Sequence, residues 1–118
     1  MSAVKEQHVS SDGLLTLVVE ELGGGDLAIG FVGTPWHTHA DILASMSDLP
    51  AHDAVRQFID NILEDAAVIA VAYKAQVIRD AWVTDDPQHE LRKHLRYAET
   101  QERLELRFWS GAAYRQTE

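Results

Sequence analysis

The stretch "AVIAVAYKAQVIRDAWV" (Ala67–Val83) decides the fold class. Its first part is a near-continuous apolar run, as expected of a strand buried at the centre of a sheet. Lys74 to Gln76 then make a tight connection, and the partner strand sets Ile78, Asp80 and Trp82 on one face. An amphipathic helix precedes this hairpin. In "HDAVRQFIDNILED" (His52–Asp65), Val55, Phe58, Ile59, Ile62 and Leu63 form one stripe, with Asp53, Arg56, Asp60 and Glu64 opposite it. A helix of this kind lies on a sheet, which points to an α+β domain.

Working toward the N-terminus, "LLTLVVE" (14–20) and "LAIGFVG" (27–33) are expected to form another hairpin. Leu15, Leu17 and Val19 share one face of its first strand, and Leu27, Ile29 and Phe31 one face of its second. The triple glycine in "LGGGD" (22–26) is the turn between them. No Gly-Lys-Ser/Thr follows it, so it is not a phosphate cradle. Residues 1–12 are polar and without period and are expected to be a loose tail. Pro35 ends the second strand, and Thr38 with Asp41 has the spacing of a capping box before a short helix over Ala40–Met46.

Toward the C-terminus, Asp86 is the expected N-cap and Pro87 the first residue of a third helix, with Leu91, Leu95 and Ala98 on one face. "LELRFWS" (104–110) alternates as a last strand, with Leu104, Leu106 and Phe108 inward and Glu105, Arg107 and Trp109 outward. The expected architecture is α+β, one domain over residues 1–118. It is a mostly antiparallel five-stranded sheet with helices on one face, in the order β-β-α-α-β-β-α-β.

A chain of 118 residues with 46% hydrophobic and 25% charged content has the composition of a soluble globular domain. No apolar run reaches the length of a membrane span, there is no secretory h-region, and there is no cysteine. A cytoplasmic location follows as the expectation. Charge is unevenly spread: Met1 to Tyr73 holds two basic and eleven acidic residues, whereas Lys74 to Glu118 holds eight of each, so the whole net charge of −9 lies in the first part. Such a surface repels phosphate backbones and steers basic proteins toward it, which argues for a basic protein partner and against nucleic acid; the alternative is an acidic surface that serves only to keep the domain in solution.

"GTPWHTHAD" (33–41) supplies the candidate metal chemistry. His37 and His39 are two apart, so an extended backbone points both imidazoles to the same side; Asp41 and His52 would complete a tetrahedral set for a divalent transition metal such as zinc. The spelling resembles the opening metal motif of metallo-β-lactamase-type hydrolases. Ile42 stands where those carry a further His, however, and the chain is too short to supply their remaining ligands. In the competing reading Trp36 packs over the sheet edge, the histidines hydrogen-bond the turn, and no cofactor is needed. Nucleophilic catalysis has no support, since there is no cysteine and no Gly-x-Ser-x-Gly elbow.

The candidate partner surface has two components. Asp53, Asp60, Glu64 and Asp65 on the long helix form an electrostatic footprint. Trp36, Trp82 and Trp109 are the candidate aromatic contacts, the last two expected on a sheet face among charged residues; in the competing reading the third helix or a second subunit covers that face and these tryptophans are structural. In overall make-up the chain resembles the small bacterial immunity proteins: a small cysteine-free α+β domain, strongly acidic in one half, without a catalytic motif. That resemblance implies a non-enzymatic inhibitor that docks an acidic surface on a basic toxin. The alternatives are a small metal-binding protein or metal-dependent hydrolase using His37, His39, Asp41 and His52, and a homodimer whose exposed sheet face is the subunit contact.

Overall fold

A computed structural model describes residues 3–97 and 101–115, other than the side chains of Leu95 and Tyr97. In chain order the elements are β1 (Ala3–Val9), β2 (Thr16–Gly23), β3 (Asp26–Phe31), β4 (His37–His39), α1 (Ala40–Ser47), α2 (Ala51–Leu63), β5 (Val68–Lys74), β6 (Val77–Thr84), α3 (Pro87–Tyr97) and β7 (Glu102–Arg107). The Ala67–Val83 hairpin forms as β5 and β6. Its turn residues Ala75 and Gln76 both take positive φ, 51° and 72°, the twist that a two-residue hairpin connection needs.

The expected single five-stranded sheet is replaced by two antiparallel sheets, four strands in the order β1-β2-β3-β4 and three in the order β6-β5-β7. The element order differs as well, because two strands join those expected. Residues of the supposed loose tail pair with β2 as β1, and His37 to His39 pair with β3 as β4. β1 has no hydrophobic period because it is an edge strand whose residues are mostly exposed, held by the backbone ladder and not by burial. β4 is three residues long, too short for any period to register.

The helices do not all lie on one face either. The core joins Leu17, Val19, Ile29 and Phe31 of the first sheet, Leu43 of α1, Ala54, Val55, Ile59 and Ile62 of α2, and Ile69, Val71 and Ala81 of the second sheet. On the other face of the second sheet, α3 covers Ala72, Trp82 and Leu104. Asp86 caps this helix as the sequence indicates, its carboxylate accepting the His89 amide at 3.1 Å. Of the face expected for α3, Ala98 and the side chain of Leu95 lie outside the described residues.

A sheet covered on both faces reverses the expected parity of β7. Register sets Leu104 and Leu106 opposite Ala72 and Ala70, on the α3 side, and Arg107 opposite Ile69, on the core side. Arg107, expected outward, is therefore the largest fully buried side chain. Its guanidinium donates to both carboxylate oxygens of Asp12, at 2.7 and 3.2 Å, and to the carbonyls of Phe108 and Trp109. Asp12 also accepts the Ser10 hydroxyl and the Leu14 amide, so this ion pair ties the β1–β2 turn to the last strand.

Candidate functional site

Trp36 lies where the two sheets meet. It stacks on Phe31 with ring centroids 6.0 Å apart, and its backbone amide donates to the Asp80 carboxylate at 3.3 Å. Beside it opens a groove of about 530 Å³. Trp36, Leu43, Met46, Phe58, Val68 and Val83 give the groove an apolar wall, and Asp85 stands at its margin. Met46 is 74% exposed, and Ile42, one helical turn before it on α1, is 47% exposed. Large apolar side chains held this far into solvent beside a concave apolar wall are suited to contact with another molecule.

The helices next to this groove carry the acidic charge. From Ala40 to Glu64 there are five acidic residues and one basic, Arg56. Asp53 on α2 and Glu64 at its C-terminal cap are exposed, whereas Ala54, Val55, Ile59 and Ile62 of that helix are buried. Asp48, at the C-terminal cap of α1, is exposed as well. Two members of the expected footprint are committed elsewhere. Asp60 pairs with Arg56 at 3.2 Å, and that Arg56 also reaches Glu6 on β1 at 3.0 Å. The Asp65 carboxylate accepts the Ser110 amide at 2.9 Å, holding the end of α2 to the C-terminal turn. The basic side of the molecule is α3, whose Arg92, Lys93 and Arg96 are exposed.

The aromatic sheet face expected from Trp82 and Trp109 does not exist as one surface. Trp109 is 6% exposed and belongs to the core with Ile69 and Val71. Trp82 lies on the opposite face of the second sheet, half-buried beneath α3 in a concavity of about 200 Å³. Of the three tryptophans, Trp36 is the one at the groove.

His37 and His39 do lie side by side, their ring centroids 5.0 Å apart, on the outer face of the first sheet. Gly30, opposite His37, makes this possible: a Cβ there would lie 2.7 Å from the Trp36 carbonyl oxygen and 3.2 Å from the His37 Cβ. The His37 Nδ1 is 3.3 Å from the Pro35 carbonyl, and the His39 Nδ1 is 3.1 Å from an Asp26 carboxylate oxygen. The expected four-residue set is not assembled: among the described residues no three His, Asp or Glu side chains converge as a metal group. Asp41 accepts the Ile42 amide within α1, and His52 is exposed in the first turn of α2. Nor does Thr38 form a capping box with Asp41, because Thr38 lies in β4 and α1 starts without a side-chain cap.

The sequence reading missed Met46, Phe58 and Val83 as groove residues and Asp26 as a partner of His39. The groove joins α1, α2, β5 and β6, and no local spacing encodes such a meeting. No protein family, curated protein or solved structure matches the chain. Among the described residues no helix is long and apolar enough to cross a membrane.

Proposed function

We propose that the chain is a non-enzymatic protein-binding module whose partner is a basic protein, with an immunity-type inhibitor of a toxin as the form that suits its make-up. The observation that carries this reading is the groove beside Trp36, apolar within and adjoined by two helices that, with their C-terminal caps Asp48 and Glu64, hold five acids and one base. Apolar contact in such a groove supplies affinity, while exposed like charges around it accelerate encounter with a basic partner. Met46 and Phe58 supply adaptable and aromatic contact area. Asp48, Asp53 and Glu64 supply the attraction, since no ion pair occupies them among the described residues.

The test begins with a photo-crosslinking amino acid in place of Met46, with Val77 on the distant β5–β6 hairpin as the control position, in cells that express the chain. A basic protein is expected to crosslink at 46 and not at 77. With that protein in hand, stopped-flow association should slow as salt rises. It should slow by at least about tenfold in the triple variant Asp48→Lys, Asp53→Lys, Glu64→Lys. Trp36→Ala should instead mainly speed dissociation. Crosslinking of the chain to itself would replace this reading with the homodimer. A partner whose association ignores both salt and the charge reversal would remove the electrostatic part and overturn the proposal.

A further inference from the structure

We infer that His37 and His39 form a two-histidine site for a divalent late transition metal ion, Cu²⁺, Ni²⁺ or Zn²⁺, oriented by Asp26 and by the Pro35 carbonyl. This site is separate from the groove and does not depend on what the groove binds.

The backbone comes first. In a strand, residues two apart project from the same face, and β4 pairs His37 with Gly30 and His39 with Ala28. The two neighbours under the rings on β3 are thus the smallest side chains available, so nothing bulky on that strand stands against either imidazole. The rings are 5.0 Å apart centre to centre. Metal–nitrogen bonds of about 2.0–2.1 Å set two imidazoles that share a tetrahedral ion at roughly that separation.

Protonation chemistry then decides which nitrogens are available. His39 Nδ1 meets a carboxylate oxygen of Asp26 at 3.1 Å, and His37 Nδ1 meets a backbone carbonyl oxygen at 3.3 Å. Both oxygens are acceptors, so in each ring Nδ1–H is the donor and the lone pair of the neutral imidazole is on Nε2. A ring nitrogen tied to a carboxylate or a backbone carbonyl, with the other left free, is the arrangement that metal-bound histidines adopt, since it fixes the tautomer and the ring orientation. Here both rings have it.

Ligand type selects the ion. Two imidazoles suit Cu²⁺, Ni²⁺ and Zn²⁺, with Cu²⁺ the tightest, and do not suit Mg²⁺ or Ca²⁺, which require several oxygens. With no third His, Asp or Glu converging among the described residues, water or an incoming donor takes the remaining positions. Asp41 and His52 have no part in the site, which distinguishes it from the four-residue set suggested by the sequence.

Calorimetric titration of untagged protein with Cu²⁺ and with Zn²⁺ tests this, with the electron spin resonance of the Cu²⁺ complex as an independent reading of nitrogen ligation. Saturable uptake of about one ion per chain is expected, Cu²⁺ binding more tightly than Zn²⁺ and Mg²⁺ not binding. His37→Ala and His39→Ala should each weaken binding at least about tenfold and change the nitrogen signature. Asp26→Asn, which keeps both ligands, should weaken it by about tenfold. Asp41→Asn and His52→Ala should bind as the unaltered protein does. Non-saturating uptake, uptake that survives the double variant His37→Ala/His39→Ala, or loss of binding in Asp41→Asn or His52→Ala would each overturn the inference.

Discussion

Arg107 is a cation whose side chain is 2% exposed, paired with an Asp12 side chain that is 40% exposed. Removing the partner of a buried charge is costly because the remaining charge has neither water nor a counterion. Asp12→Ala is therefore expected to destabilise by about 3 kcal/mol, at the low end for buried pairs because Asp12 itself reaches solvent. The double variant Asp12→Ala/Arg107→Met should regain part of that loss, since methionine leaves no charge to compensate. Urea unfolding of the three proteins checks the order. The hydrogen bond from Arg107 holds the Asp12 carboxyl well below the usual carboxylate range, partial burial opposes it, and Ser10 and the Leu14 amide add to the lowering. For a group depressed in the folded state, the stabilisation is complete above the unfolded value, about 4, and is lost as pH falls toward the folded one. Stability should thus fall below pH of about 4, and fall less in Asp12→Ala. Burial pushes Glu6 up, but hydrogen bonds from His8 and Arg56 outweigh it and leave it lowered, so some acid sensitivity should persist in the variant. A variant as acid-sensitive as the unaltered protein would show that the ion pair carries no stability.

At the scale of elements, α2 shows how far a helical stripe can be read. Val55, Phe58, Ile59, Ile62 and Leu63 were all legible as one face, and the structure divides them: Ile59 and Ile62 are fully buried, whereas Phe58 is half-buried at the groove. Ile62→Ala is expected to cost about 2–5 kcal/mol in denaturant melts, and Phe58→Ala distinctly less. Equal losses would mean that Phe58 is a core residue and the groove is closed. The helix period reports which side faces the molecule but not where neighbouring elements stop short of covering it. The same limit applies to the last strand. Alternation from Leu104 was correctly read as a strand, which spans Glu102–Arg107 and stops short of Phe108 and Trp109, but which of its two faces held the core was not encoded in it, because α3 covers one face and the core the other.

For the whole molecule, the two sheets share a core through α2, and the Asp12–Arg107 pair links segments 95 residues apart. Unfolding is expected to be one cooperative transition, with tryptophan fluorescence, near-ultraviolet and far-ultraviolet circular dichroism giving coincident curves. Separate transitions would show two independently stable sheets. Charge is also organised at this scale, with acids on α1 and α2 and exposed Arg92, Lys93 and Arg96 on α3. The linear count already divided the chain at Lys74, with acids in excess before it and equal numbers of acids and bases from it onward.

The sequence by itself determined the α+β class, both expected hairpins, the approximate extents of α1 and α2, the Asp86 cap of α3 and the side-by-side placement of His37 and His39. All of these follow from chain neighbours: a period of two or 3.6, a turn residue, a capping oxygen. The division into two sheets, the recruitment of Ala3–Val9 as an edge strand, the burial of Arg107 and Trp109 and the opening of the groove at Trp36 were decided in three dimensions. Each depends on which residues distant in sequence arrive at the same place. Burial of a charge or exposure of a methionine is a property of those arrivals, and no local pattern along the chain records them.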